Sequence, residues 1–206
     1  MPAKILEVYP DNPHQRYINM AVDVLKNDGI ISYPTDTVYG LGASIFSKSA
    51  VERIYKIKQI SNSKLLSFIC KDIQEISQYA YNSNTNFRIM KRCLPGPFTF
   101  ILPATNQTPK KMFQKRRTVG IRIPDSALCQ SLADTLGSPV ISTSVPAGPD
   151  EILNDPEEIN RRVGDQLDLI LDGGILISEP STIVDLTGIE PIFLRQGRGD
   201  PALIYS

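Results

Sequence analysis

The chain has 206 residues, of which 41% are hydrophobic and 21% are charged, and its formal net charge at pH 7 is zero. This is ordinary globular composition, with enough apolar side chains for a core. Because no apolar run approaches 18 residues and the N-terminus has no apolar stretch before a cleavage site, we expect no membrane span, membrane partner or secretion signal.

Cysteine and histidine usage narrows the chemistry. Cys70, Cys93 and Cys129 are far apart and odd in number, which favours buried thiols in a reduced, cytoplasmic protein over disulfides or a metal site. His14 is the only histidine, and we expect it to be a surface or capping residue. A Ser–His–Asp triad is therefore nearly excluded, and no metal-ligating residues are predicted.

Strand and helix periodicities alternate along the chain. The predicted elements are a strand at 5–9, a helix within 11–29, a strand at 29–34, a helix at 49–59, a strand at 65–70, a helix at 84–94, strands at 98–102 and 118–123, a helix at 126–137, a strand at 139–143, a helix at 155–163, and three short strands or turns at 167–174, 182–187 and 192–197. This alternation predicts a single α/β or mixed α+β domain over residues 1–206. The proline-rich segment 145–156 is the best candidate for a mobile loop.

Polar residues at three positions predict helix starts. Asn12 is the expected N-cap of the first helix. Ser49 with Glu52, and Asp155 with Glu158, each have the spacing of a capping box.

Acidic and basic residues are unevenly distributed along the chain, although the net charge is zero. Residues 150–200 contain twelve acidic and four basic residues, whereas residues 76–124 contain no acidic residue and nine basic ones. The nine are Arg88, Lys91, Arg92, Lys110, Lys111, Lys115, Arg116, Arg117 and Arg122. This asymmetry indicates either an anionic partner for the middle of the chain or a solvated basic loop at 103–117.

Hydroxyl side chains follow several predicted strands, in YPTDTVYGLG (33–42), VISTSVPAG (140–148) and PSTIVDLTG (180–188). Ligands of α/β proteins gather at strand ends, and hydroxyls bind anions without the cost of burying a charge. Arg122 lies inside a strand and needs an anionic partner if buried, and Arg195 ends another strand. With no phosphate-binding glycine motif and no catalytic histidine, these residues favour an anion-binding cleft that works by electrostatics.

The motifs YPTDTVYGLG, LPGPFTFIL, VGIRIP, ISTS and STIVDLT, followed by Arg195, resemble the YrdC-like family over almost the whole chain. The segments RIMKRCLPGPFTFIL and PKKMFQKRRTVGIRIP are similar to its YciO branch. The resemblance implies a twisted mixed sheet flanked by helices around a basic cavity. It also implies a threonylcarbamoyl-AMP synthase, which joins L-threonine, bicarbonate and ATP into threonylcarbamoyl-adenylate and pyrophosphate for the t6A modification of tRNA.

The resemblance assigns roles to individual residues. Thr35, Tyr39, Arg122 and Ser181 would contact threonine, and Arg122 would hold its carboxylate. Lys58, Ser142, Ser144 and Arg195 would contact ATP, which with Mg²⁺ is expected as a substrate, and no tightly bound cofactor is expected. Lys58 and Arg122 would be the catalytic residues, because their charges face the reacting phosphate and carboxylate.

Three positions depart from the family pattern. KQISNSK (58–64) lacks the second phosphate-binding arginine, for which Lys64 is the available substitute. Phe68 stands where the family has a strand histidine, and Pro146 stands where it has an asparagine.

The fold has also been linked to double-stranded RNA, which gives a second hypothesis. Under it, the protein binds tRNA or double-stranded RNA without efficient synthesis. The candidate RNA-binding residues are Lys110, Lys111, Lys115, Arg116 and Arg117.

Overall fold

Strands and helices alternate in the computed structural model, which describes residues 3–59, 66–109, 117–148, 151–177 and 179–205. The strands in these ranges are β1 (Lys4–Glu7), β2 (Ile31–Tyr33), β3 (Gly40–Ser44), β4 (Ser67–Ile69), β5 (Phe98–Pro103), β6 (Thr118–Arg122), β7 (Val140–Ser144), β8 (Pro146–Gly148), β9 (Glu151–Ile152), β10 (Leu169–Asp172), β11 (Thr182–Asp185) and β12 (Ile192–Arg195). The helices are α1 (Gln15–Lys26), α2 (Lys48–Lys58), α3 (Ile73–Tyr79), α4 (Asn84–Cys93), α5 (Ala127–Leu136), α6 (Pro156–Val163) and α7 (Ala202–Tyr205).

Ten of these strands form one mixed sheet, in the order β1-β10-β2-β3-β7-β4-β6-β5-β11-β12. Neighbouring strands are parallel in the pairs β1/β10, β10/β2, β4/β6 and β5/β11 and antiparallel in the other five. The strands β8 and β9 pair separately with each other. The predicted mixed α/β class is therefore confirmed.

The two faces of the sheet carry different cores, because successive residues of a strand point to opposite sides. In β10, Leu169 and Leu171 pack with buried residues of α1 and α5, whereas Ile170 belongs to the larger core that includes α2, α3, α4, α6 and α7. Among the described residues, β5, β6 and β11 contribute nothing to the α1/α5 core. On that face, these three strands are therefore available to line a site, together with Ser67 of β4, whereas Ile69 of β4 belongs to the α1/α5 core.

Two predicted N-caps are wrong by two residues. His14, not Asn12, caps α1, because its Nδ1 accepts the backbone N–H of Arg16 at 3.2 Å. This confirms the capping alternative for His14. Ser47, not Ser49, caps α2, and its Oγ accepts the N–H of Ala50 at 3.1 Å.

Neither predicted capping box forms, because both glutamates bind cations of their own helices. Glu52 pairs with Lys48 at 3.4 Å. Asp155 does cap α6, but Glu158 pairs with Arg161 at 2.6 Å and with Arg162 at 3.2 Å instead of closing a box.

The predicted loop at 145–156 contains secondary structure instead. It includes β8 and β9, and α6 begins at Pro156. The backbone N–H of Leu153 donates to the carbonyl oxygen of Val145 at 3.0 Å, so one side of this segment is fixed to the other.

Two glycines of β3 serve packing. An added Cβ at Gly42 would lie 2.7 Å from Cε1 of Tyr33, 3.1 Å from Ile31 and 3.2 Å from Val140, and one at Gly40 would lie 3.0 Å from Oγ of Ser142. Both glycines lie inside β3 under neighbouring side chains, so the absence of a Cβ allows this close packing.

We therefore expect Gly42→Ala to lower the free energy of unfolding by about 1–3 kcal/mol, the usual cost of overpacking a core. Urea denaturation measures the change. Gly174→Ala would test the opposite case, since that glycine has a φ of +82° and open space around it, so its cost would come from backbone strain alone. An unchanged midpoint for Gly42→Ala would contradict the close packing of Tyr33 over β3.

Candidate functional site

The uncovered half of the sheet carries polar residues at alternating positions. Ser142 of β7 lies beside Ser67 of β4, and Ser67 in turn lies beside Gly120 of β6. Arg122 lies two residues after Gly120, on the same face of β6. The opposite face of these strands bears Phe68, Ile121 and Ile141 and is part of the core. Ser67, Ser142 and Arg122 form a polar floor on one face, beside Ile69 and Val140, which belong to the α1/α5 core.

This polar floor lines a cavity of about 150 Å³, here called the inner cavity. Its lining residues are Val38, Ser67, Thr99, Arg122, Ser142, Thr143, Ser144, Pro180, Ser181, Ile183 and Arg195. Six of the eleven carry hydroxyls and two carry guanidinium groups, so the cavity offers hydrogen-bond donors and positive charge. Such a lining suits a small anionic ligand.

Arg122 has an anionic partner inside the protein. Its Nη2 donates to Oδ1 of Asp36 at 2.8 Å and to Oγ1 of Thr37 at 3.0 Å. The side chains of Arg122 and Asp36 are only 9% and 8% exposed, so this is a buried ion pair. The Nε of Arg122 is also buried, and no described residue accepts its hydrogen. After pairing with Asp36 and Thr37 through Nη2, Arg122 therefore keeps Nε–H without a partner in the described part of the chain.

Arg195 is held by Ser181, the residue immediately before β11. Its Nε and Nη2 donate to the carbonyl oxygen of Ser181 at 3.0 and 2.8 Å, and Nη2 also reaches Oγ of Ser181 at 3.2 Å. The Ser181 hydroxyl bonds to that of Thr99 at 2.8 Å. Burial and the nearby positive charge of Arg122 lower the pKa of Arg195. Two like charges facing one cavity favour an anion between them.

Lys58, the last residue of α2, reaches the end of β7. Its Nζ donates to the carbonyl oxygen of Ser144 at 2.7 Å and lies 3.2 Å from Oγ of Ser144. Ser142 lies two residues earlier, on the same face of β7. The structure thus brings together six predicted residues, Lys58, Arg122, Ser142, Ser144, Ser181 and Arg195.

Thr35 and Tyr39 occupy different places from those six. The Oγ1 of Thr35 donates to the carbonyl oxygen of Val38 at 2.7 Å and accepts the N–H groups of Thr37 and Val38, so it stabilises the turn that carries Asp36. Tyr39 is completely buried, and its hydroxyl donates to the carbonyl oxygen of Gly174 at 2.8 Å. Burial raises the pKa of Tyr39. Neither residue lines the inner cavity.

A second depression lies on the other side of the Thr35–Val38 turn and is here called the outer cleft. It has a volume of about 500 Å³ and is lined by Pro10, Asp11, Thr35, Asp36, Thr37, Pro97, Asp125, Ser126, Gly173, Ile175, Leu176, Ile177 and Arg198. Its three carboxylates outnumber its one guanidinium, so its charge is opposite to that of the inner cavity. The Asp36–Arg122 pair joins the two.

The candidate RNA-binding residues fall mostly outside the described ranges, namely Lys110, Lys111, Lys115 and Arg116. The fifth, Arg117, is exposed beside β6. Across the described ranges, no group of His, Cys, Asp or Glu is arranged to hold a metal ion. In that part of the chain, no helix has both the length and the apolarity to cross a membrane.

Sequence reasoning missed Asp36, Ser67 and Thr99. Asp36 lies in the motif YPTDTVYGLG, but its partner is 86 positions away, and no local period relates the two. Ser67 and Thr99 were hard to find, because each shares its side of a short strand with an isoleucine, Ile69 and Ile101, so no polar alternation marks them.

Known proteins match this chain over nearly its full length. A Sua5/YciO/YrdC family model, described as "Telomere recombination", matches residues 23–197. The uncharacterized protein YciO of Escherichia coli K12 is 43% identical over 195 residues, which is 94% of this chain and 95% of YciO. The threonylcarbamoyl-AMP synthase of Vibrio vulnificus is 31% identical over 184 residues, which is 87% of this chain and 98% of the synthase.

Solved structures give the same result. The crystal structure of E. coli YciO matches with a TM-score of 0.93 at 41% identity, over 98% of this chain and 99% of YciO. The structure of P. abyssi Sua5 complexed with L-threonine matches with a TM-score of 0.86 at 26% identity, over 94% of this chain and 57% of Sua5. This chain therefore spans little more than half the length of that Sua5 chain. It belongs to the Sua5/YciO/YrdC family.

Proposed function

We propose that this protein is a threonylcarbamoyl-AMP synthase of reduced efficiency, which joins L-threonine, bicarbonate and ATP for the t6A modification of tRNA. Support comes from the relatives, since the protein of V. vulnificus is a threonylcarbamoyl-AMP synthase and P. abyssi Sua5 has been crystallised with L-threonine. The reducing cytoplasm is the proposed location, because Cys70, Cys93 and Cys129 are all free and buried.

The observation that carries the proposal is the pair of guanidinium groups facing the inner cavity. Its volume of about 150 Å³ is below the roughly 300–1,000 Å³ of drug-sized ligand sites, so it suits an amino acid better than a whole nucleotide. Arg122 offers an unpaired donor to a carboxylate, and Ser181 and Thr99 offer hydroxyls. A nucleotide would then extend outward along Lys58 and Ser144.

The reaction needs no protein nucleophile. The amine of threonine adds to bicarbonate with loss of water to give a carbamate. A carbamate oxygen then attacks the α-phosphorus of ATP, and the bond to the β-phosphate oxygen breaks to release pyrophosphate. Lys58, Arg122 and Arg195 would stabilise the charge that builds on the phosphate oxygens, and the Mg²⁺ that accompanies ATP would share this task.

The nucleotide side of the site is incomplete, which is why we propose reduced efficiency. Phe68, at the position of the family histidine, is fully buried in the core and offers no polar atom. Pro146 replaces the family asparagine and starts β8. Lys64, the substitute for the missing arginine, lies outside the described residues. Each lost charged contact typically costs about 1.5–3 kcal/mol, so we expect weak ATP binding.

A pyrophosphate-release assay tests the proposal directly. With L-threonine, bicarbonate and Mg-ATP we expect release that depends on all three substrates and falls about ten- to a hundredfold in Lys58→Ala, which removes one charged phosphate contact. Lys26→Ala, at an exposed position of α1, is the control and should equal wild type. Background release by wild type, indistinguishable from Lys58→Ala, would rule out synthase activity.

A second candidate function is binding of tRNA or double-stranded RNA, and a patch on α4 favours it. Arg88, Lys91 and Arg92 are exposed on this helix, within the stretch 76–124 that lacks acidic residues. Arg117 is also exposed. Several cations on one stretch can neutralise neighbouring phosphates and release counterions.

We expect RNA affinity to fall steeply as the salt concentration rises. This dependence on salt should become weaker when Lys115, Arg116 and Arg117 are all changed to Ala. Fluorescence anisotropy with a labelled RNA duplex between 50 and 200 mM salt measures both effects. The matched control removes three cations elsewhere, at Arg53, Arg161 and Arg162. Salt-independent affinity, or equal loss in the two triple variants, would exclude specific RNA binding by this stretch.

A further inference from the structure

The Asp36–Arg122 ion pair carries an inference about how the inner cavity recognises its ligand. Arg122 has five N–H donors on a rigid planar fork. Asp36 and Thr37 both take their hydrogen bonds from the same nitrogen, Nη2. The Nε of Arg122 remains buried and without a partner in the described part of the chain. An unpaired donor is costly, and because Arg122 lines the inner cavity, a ligand there can accept hydrogens that Asp36 and Thr37 leave free.

Asp36 is itself fixed from three directions. Its Oδ2 accepts the backbone N–H of Asp125 at 3.1 Å, and its carbonyl oxygen accepts Nη1 of Arg198 at 2.6 Å. The turn that contains Asp36 is closed by the hydroxyl of Thr35. The carboxylate therefore has a defined position before any ligand binds.

We propose that Asp36 is a positioning residue, which anchors the Arg122 guanidinium through Nη2 so that its remaining N–H groups are presented to the anionic group of the ligand. The ligand class is a small carboxylate, and L-threonine is the probe because the inference rests on the proposed function. The Asp36 charge also offsets that of Arg122, so the cavity presents fewer net positive charges than Arg122 and Arg195 would together. This favours a singly charged carboxylate over a more highly charged anion.

The main test compares two substitutions that change the net charge equally. Asp36→Asn keeps an oxygen acceptor but loses the charge that fixes Arg122. Asp23→Asn changes an exposed carboxylate on α1, away from both cavities, and leaves Asp36 and Arg122 alone. We expect isothermal titration with L-threonine to show a Kd raised at least tenfold in Asp36→Asn and within twofold of wild type in Asp23→Asn.

Arginine side-chain NMR supplies a readout that does not depend on ligand affinity. The Nε–Hε signal of Arg122, assigned by its absence in Arg122→Lys, should exchange slowly with water in wild type and shift when L-threonine is added. In Asp36→Asn we expect exchange at least tenfold faster. Thr37→Val removes the other acceptor of Nη2 and should accelerate exchange in the same direction, which preserves the test if Asp36→Asn folds poorly.

The two claims fail in different ways. If wild type does not bind L-threonine, the proposed function is wrong, and the exchange rates without ligand still decide whether Asp36 positions Arg122. If the exchange of Arg122 Nε–Hε is unchanged in both Asp36→Asn and Thr37→Val, and L-threonine binds Asp36→Asn within twofold of wild type, the positioning role is overturned.

Discussion

Arg122→Leu is expected to lower the free energy of unfolding by about 3–5 kcal/mol, one of the largest effects of any single substitution in this chain. The reason is that it removes one partner of a buried ion pair and leaves the Asp36 carboxylate without a counter-charge in a site where it is 8% exposed. Equilibrium urea denaturation followed by circular dichroism measures the loss.

A double variant separates the ion pair from general packing. Asp36→Leu with Arg122→Leu leaves no unpaired charge, so it should be more stable than Arg122→Leu alone. The surface pair Lys71–Asp134 is the control, and breaking it with Lys71→Leu should cost far less than Arg122→Leu, because exposed ion pairs contribute little to stability. If Arg122→Leu cost as little as Lys71→Leu, the Asp36–Arg122 pair would not be buried in solution.

Arg195→Ala is expected to weaken binding of Mg-ATP by about ten- to a hundredfold, because under the proposed function Arg195 would supply one charged contact to the nucleotide. It also frees the carbonyl oxygen and hydroxyl of Ser181, which Arg195 holds. Isothermal titration measures the change in Kd. Arg195→Lys should recover only part of the affinity, since a lysine cannot hold Ser181 through two nitrogens.

Arg161→Ala is the matched control for this loss of charge. Arg161 lies on α6, where it is exposed and pairs with Glu158. We expect its Kd for Mg-ATP to stay within twofold of wild type. If both variants bound Mg-ATP equally well, the nucleotide would not contact Arg195.

Most helices and strands could be predicted, because the spacing of hydrophobic residues along the chain follows the local backbone geometry. The alternating residues of TVGIRI predicted β6. The apolar face that ends at Gly137 predicted α5, and Gly137 has the left-handed φ of +74° that glycine accepts. Helix starts were less predictable, because Asn12 and His14 are both plausible caps and tertiary contacts decide between them. The helix α3 has only seven residues, too few for a helical spacing of hydrophobic residues to be recognised.

The candidate site was predictable in its cations and hydroxyls but not in how they are paired. Arg122 was recognised as a buried arginine that needs an anion, and we expected the ligand to supply it. The structure supplies Asp36 instead, from a turn 86 positions earlier. Tyr39 was expected to face the ligand and is instead bonded to Gly174. Such pairings depend on sheet order, which local sequence does not encode.

The central claim is that the inner cavity binds a small carboxylate through Arg122. A crystal structure of the protein with saturating L-threonine tests it most directly. We predict that the threonine carboxylate lies within about 3 Å of a nitrogen of the Arg122 guanidinium, with the Asp36–Arg122 bond intact and the threonine hydroxyl near Ser181 or Thr99. Threonine bound only in the outer cleft, or an inner cavity without threonine at saturation, would contradict the account.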